Sequence, residues 1–149
     1  MSAARPSDTA TTMRMNRVTP IITVDAIEPC LPFWTDALGF ELTVSVPHED
    51  AMGFAMLHGG DVELMYQSRP AVDADLGTSV GQEGLGSELS ASTATLYLDV
   101  DDLDAVLTAL GDLAVVIVPR RETFYGMDEV FVRAPCGTLV GFAAKLPEE

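Results

Sequence analysis

Glu63 is the residue of this chain best placed to do chemistry. It stands between Val62 and Leu64 in the apolar run "VELMY". A carboxylate among apolar neighbours serves as a general acid/base or as the counter-charge to a bound cation. It also has a plain structural reading, as an unpartnered charge at the mouth of a cleft. A second group of reactive types lies in "PRRETFYGMDE" (119–129), where Arg120 and Arg121 stand directly before Phe124, Tyr125 and Gly126. An aromatic pair beside a glycine suits a lid over a cleft. Phe124 equally suits a plug at the open end of a sheet, with the arginines paired to nearby acids, and this structural reading is preferred. The two histidines, His48 in "PHED" and His58 in "HGG", fall in turns at strand ends, where an exposed polar residue is ordinary. Cys30 and Cys136 are too few for a disulfide framework and suit a reduced, cytoplasmic setting. No Ser-His-Asp set, Gly-rich phosphate loop or Cys-x-x-Cys pair appears, so hydrolase, nucleotide-binding and thiol-redox chemistries have no support.

The chain that must position these groups has 149 residues and is 48% hydrophobic. That is one domain, and at this size roughly 70% of the unfolded surface is buried without help from a metal or disulfide. Eight Lys+Arg face 23 Asp+Glu, a formal charge of −15. Such a surface repels nucleic acid and anionic membrane and attracts cationic partners. It also simply keeps a protein soluble. No apolar run approaches the ~20 residues of a membrane span. Residues 1–16, "MSAARPSDTATTMRMN", lack the apolar centre of a signal peptide and read as a flexible tail.

Residues 17–24 ("RVTPIITV") predict a short strand, with Pro20 at an edge or bulge. Ile27, Leu31, Trp34 and Leu38 fall on one helical face. Pro29 is tolerated in the first turn, Pro32 bends the helix, and Gly39 ends it. At this spacing Trp34 reads as core packing rather than as a ligand-stacking ring. Three strands follow, over 41–46, 53–57 and 61–66. Residues 67–92, rich in Gly, Ser and Ala and without an aromatic, predict a linker or mobile flap. The pattern then restarts: a strand over 93–100, a helix over 103–110 stopped by Gly111, and strands over 115–118, 128–133 and 138–144. Val24-Asp25-Ala26-Ile27…Leu31…Leu38-Gly39 recurs as Val100-Asp101-Asp102-Leu103…Leu107…Leu110-Gly111. The repeat predicts an α+β fold of two βαβββ modules, 17–66 and 93–145, within a single domain. One such module leaves a sheet face uncovered, so the two are expected to form a curved mixed sheet around a shared cleft, with short helices outside.

Two modules with this signature resemble the vicinal oxygen chelate superfamily, which includes glyoxalase I, extradiol dioxygenases, fosfomycin-resistance enzymes and bleomycin-resistance proteins. The resemblance covers about residues 17–144. "TPIITVDAIEPCLPFWTDALGF" looks like the first strand and helix of the bleomycin-resistance group, and "YGMDEVFVRAPCGTLVGFAA" is similar to that group's last hairpin, with Ala134 where an Asp is usual. The superfamily's metalloenzymes draw one ligand from the first and last strand of each module. Laid on that pattern, the repeat puts Thr19, Glu63, Thr95 and Gly141 at the four positions. One carboxylate, two hydroxyls and a glycine do not fix a transition metal, and His48 and His58 do not restore the set, so no metal and no cofactor is expected.

Counting by twos from those positions, the cleft should be lined by Thr19, Ile21, Thr23, Glu63, Met65, Thr95, Tyr97, Leu139 and Gly141. Phe54 or Met56 should join from the neighbouring strand, with Phe124 and Tyr125 above. Each apolar member also serves as ordinary core. The lining suits an amphipathic organic ligand, including a cation held by Glu63. The resemblance then implies a metal-independent protein that binds and sequesters an antibiotic or metabolite. It would be a homodimer of the kind that exchanges N-terminal strands, with Pro20 at the hinge. Bleomycin itself fits poorly, because residues 67–92 offer no ring to stack on it. The alternative is a metal-free isomerase, epimerase or cyclase with Glu63 as general acid/base, and the third reading a metal-dependent glyoxalase- or dioxygenase-type enzyme.

Overall fold

The computed structural model describes residues 13–148. Its strands are β1 (Ile21–Val24), β2 (Glu41–His48), β3 (Ala51–Gly59), β4 (Val62–Ser68), β5 (Leu96–Asp99), β6 (Val115–Glu122), β7 (Met127–Arg133) and β8 (Leu139–Lys145). They form two four-stranded sheets, ordered β1-β4-β3-β2 and β5-β8-β7-β6. In each, the first strand runs parallel to the last, with Ile21 opposite Met65 and Tyr97 opposite Gly141, and the remaining neighbours are antiparallel. The duplicated α+β architecture expected from the repeat is therefore present. Of the expected tail, residues 13–16 are exposed and the rest lies outside the described residues.

One core serves both modules, since Val24, Trp34 and Tyr66 share a cluster with Leu103, Val132 and Phe142. The segment after β1 holds it together. Pro29 and Pro32 remove two N–H groups, so a regular i→i−4 ladder cannot run through it. The chain winds instead as a 3₁₀ turn (Glu28–Cys30) and then a wide π turn (Phe33–Ala37). Trp34 is fully buried and its Nε1–H donates to the Tyr66 hydroxyl at 2.9 Å, which makes it packing, as its spacing predicts. Phe33 meets the Phe142 ring of the second sheet at 6.3 Å. This segment also packs on α3 (Leu103–Leu110), the helix of the second module.

Residues 67–92 are helical rather than an unstructured flap. β4 runs directly into α1 (Arg69–Ser79), capped by the Ser68 hydroxyl, which accepts from Ala71 N–H at 3.2 Å, with a proline in its first turn. α2 (Leu85–Ser90) packs against α1. The reduced-thiol expectation is also corrected: Cys30 and Cys136 are joined in a disulfide, linking the 3₁₀ turn of the first module to the β7–β8 turn of the second. No helix among the described residues is long and apolar enough to cross a membrane.

Candidate functional site

Alternation along the strands sends one set of side chains into the core and turns the other outward. On β4, Leu64, Tyr66 and Ser68 are buried, leaving Glu63, Met65 and Gln67 on the outer face; on β3, Ala55 and Leu57 are buried, leaving Phe54, Met56 and His58 outside. Ile21, 54% exposed, and Thr23 join them from β1. Thr23 Oγ1 accepts from the Gln67 amide at 3.0 Å. Thr19 precedes β1. The first sheet thus gathers Ile21, Thr23, Phe54, Met56, Glu63 and Met65 on one face. Val44 and Val46 extend it, because the register sets them opposite Met56 and Phe54.

His58 is not in a turn away from this face. It lies within β3 directly opposite Glu63, and Glu41 lies opposite it on the other side. The reason is the tight hairpin Gly59-Gly60-Asp61-Val62, in which Gly60 takes φ +57° and the ladder closes at Gly59 and Val62. Counting outward from a two-residue loop pairs His58 with Glu63. Glu63 also has a partner in Arg17, at 3.8 Å across a solvent-open gap.

On the second sheet, Tyr97, Glu129 and Phe131 occupy the outer face. Register places Leu96 beside Val140 and Tyr97 beside Gly141; continued one residue back it aligns Thr95 with Leu139, so Leu139 is the residue that matches Glu63. A Cβ on Gly141 would come within 2.5 Å of the Phe131 ring; that ring fills the space expected to be open trough. Tyr97 lies 6.0 Å from it.

Glu129 is the group that the sequence reading missed. Its carboxylate is 1% exposed, yet it accepts from Tyr97 Oη at 2.7 Å, from Tyr125 Oη at 2.9 Å and from Arg121 Nη2 at 3.2 Å. Burial pushes the carboxyl up, but the bonds from Tyr97, Tyr125 and Arg121 together outweigh it and hold Glu129 below the ordinary range. Burial and the Glu129 anion push Tyr97 up to about 12. The alternation in "MDEVFVR", with Val130 and Val132 inward, was the available signal. The arginines do pair with acids, Arg120 with Asp104 at 2.6 Å and Asp128 at 2.8 Å. Phe124 does not plug the sheet: it is 99% exposed at the hairpin tip, edge-on to Tyr125.

A cleft of about 660 Å³ opens between the free edges of β1 and β5. From the expected set it takes Ile21, Thr23, Thr95 and Leu139, and α2 supplies Leu89 and Ser90 to its wall. Glu63, Met65, Phe54, Met56, Tyr97, Phe124 and Tyr125 lie outside its lining. The expected residues are therefore spread over two outer faces and the seam between them. Among the described residues, no three His, Cys, Asp or Glu side chains converge. With Thr19, Thr95 and either Leu139 or Gly141 beside Glu63, the donor set does not fit a divalent metal, which needs several oxygen or nitrogen ligands.

Two four-stranded mixed sheets, each from one βαβββ module, define a class of duplicated α+β proteins. The chain belongs to the Glyoxalase/Bleomycin resistance protein/Dioxygenase superfamily, whose model matches residues 14–142. Among solved structures it is similar to lactoylglutathione lyase from Agrobacterium tumefaciens (17% identity, 89% of this chain and 96% of that one, TM-score 0.66). It is also similar to the bleomycin-binding protein of bleomycin-producing Streptomyces verticillus, complexed with copper(II)-bleomycin (20%, 92% and 100%, TM-score 0.57). A third is TnmS3, an antibiotic binding protein from Streptomyces sp. CB03234 (19%, 90% and 99%, TM-score 0.58). At these identities the likeness is one of fold. No curated protein matches the chain.

Proposed function

We propose that this protein binds and sequesters a small organic molecule, an antibiotic or a metabolite, without a metal and as a homodimer. The observation that carries the reading is the make-up of the first outer face: apolar Ile21, Phe54, Met56 and Met65, partly open to solvent, with Glu63 the sole ionisable group at the superfamily's ligand positions. Such a surface suits a ligand that is mostly apolar and polar at one end. The ligand-contacting set is Thr19, Ile21, Phe54, Met56, Glu63, Met65, Thr95, Tyr97, Phe124 and Tyr125. Antibiotic-binding proteins of the same fold support it. A second copy is the natural cover for these faces, because β2 and β6 are exposed almost throughout, with Val44, Val46 and Val115 to Val118 open to solvent. Exchange of β1 between copies would carry its four-residue ladder to β4 intact.

Native mass spectrometry of the purified protein against a panel of antibiotics and metabolites tests this. The expected result is a dimer that retains one panel member and releases it chemically unchanged. A monomer that retains nothing sinks the reading. His58 opposite Glu63 favours a second one, a metal-free isomerase, epimerase or cyclase in which Glu63 moves the proton. It requires that Glu63→Gln abolish turnover while ligand binding survives.

A further inference from the structure

Glu129 is the one fully buried charged side chain among the described residues, and it sits at none of the superfamily's ligand positions. Burying a carboxylate is unfavourable, and an apolar pair would hold a hairpin as well. What the cluster provides instead is a fixed anion framed by rings. Tyr97 and Tyr125 donate to Glu129 at 2.7 and 2.9 Å, while the two residues stay 48% and 50% exposed. Phe124 lies edge-on to Tyr125 at 5.0 Å. A phenol donating to an anion is polarised toward its ring, and an electron-rich ring attracts a cation to its face. The seat already accepts one planar organic cation, the Arg121 guanidinium, but loosely: one contact of 3.2 Å to Glu129 and one of 3.4 Å to Tyr125. Arg121 is 54% exposed and lies on the edge strand β6, so it is free to swing out. The surrounding charge of −15 draws cations toward it.

We propose that Tyr97, Tyr125 and Glu129 form a seat for an organic cation, an alkylammonium or arylammonium head held over the two phenol rings and facing the carboxylate once Arg121 has moved aside. This rests on reading the outer faces as ligand-binding and names the charge of the ligand.

The probe is benzyltrimethylammonium, titrated into the full chain by calorimetry, with neopentylbenzene as its neutral isostere. Saturable binding of one cation per chain, with no binding of the isostere, is expected. Arg121→Gln, by removing the competing cation, should tighten it and Glu129→Gln, by removing the anion, weaken it, each by about tenfold. Tyr97→Phe, which keeps the ring but loses the bond to Glu129, should weaken it too and serves if Glu129→Gln does not fold. Equal binding of cation and isostere overturns the seat. So does a Glu129→Gln variant with a lower melting temperature and unchanged affinity, which would make the cluster a hairpin clamp. The two readings fail separately: panel ligands retained equally by wild type and Glu129→Gln leave sequestration standing and the seat refuted. Cation binding with no panel ligand retained does the reverse.

Discussion

Every phenol of this protein has its ionisation discouraged, and for different reasons. Burial raises Tyr66, against a hydrogen bond from Trp34. Burial and then the bond to Glu129 raise Tyr97 to about 12, and the bond to Glu129 raises Tyr125. The three are all the tyrosines the chain has. The native protein should therefore show less phenolate absorbance at pH 10 than the unfolded chain, whose tyrosines are about half ionised there. Glu129→Gln should return Tyr97 and Tyr125, but not Tyr66, toward the ordinary value; a variant spectrum identical to wild type would count against the cluster. The unfolded chain ionises first, so the stability these phenols carry is complete below pH 10 and drains away as pH rises through their folded values. Glu129 works in the opposite sense. Its folded value is depressed from 4.5, so its contribution is present above that pH and disappears as pH falls below it. Melting temperature should drop with acidification in wild type, with a shallower slope in Glu129→Gln.

At the scale of elements, legibility followed local chemistry. The Val-Asp-x-(Ile/Leu) repeat marks the start of each module's helical segment, and α3 spans Leu103–Leu110, ending at the Gly111 stop; the structure adds the Asp102 cap, whose Oδ1 accepts from Ala105 N–H at 3.1 Å. The first module's helix was legible as an apolar face but not as a 3₁₀ and π winding, because two prolines leave the burial pattern intact while breaking the ladder. Residues 67–92 misled by composition: many small residues suggested a linker, and the helix-start signal in Ser68 and Pro70 went unread. The small residues have their own use there. Gly86 is buried where α2 crosses α1, and its N–H donates to Asp73 Oδ1 at 2.8 Å. A Cβ on it would meet the Arg69 side chain at 2.6 Å and the Arg69 carbonyl at 2.8 Å. Gly86→Ala should therefore separate the helices despite alanine's better helix propensity, costing about 1–3 kcal/mol in urea unfolding. Since α2 walls the β1–β5 cleft, amide exchange should quicken at Leu89 and Ser90; unchanged exchange would show that α2 stands without α1. The Glu129 cluster stayed hidden because its partners come from β5, β6 and the β6–β7 turn, a convergence that the fold rather than any one local motif produces.

For the whole molecule, two forces act on a chain with few staples and much charge. The Cys30–Cys136 disulfide closes 106 residues and ties the modules across their shared core. Restricting so long a loop in the unfolded chain stabilises the fold by about 2–5 kcal/mol, so reductant should lower the unfolding free energy by that amount and move the urea midpoint down in proportion, and an unmoved midpoint would mean the thiols carry no bond. The second force opposes self-association. In the proposed dimer, two copies meeting over their apolar outer faces would bring together two charges of −15, and that repulsion decays over about 10 Å at 0.1 M salt. Burial of Val44, Val46 and Val118 does not depend on screening in this way. Dimerisation should therefore tighten as salt rises from roughly 0.01 to 1 M, the reverse of an interface built on ion pairs. A Val46→Glu change should do two things at once: weaken the dimer through a buried, unpaired carboxylate and steepen its salt dependence. Sedimentation across that range reads both. A dimer that loosens with salt, or one indifferent to Val46→Glu, would place the contact elsewhere on the molecule and leave the outer faces open to solvent.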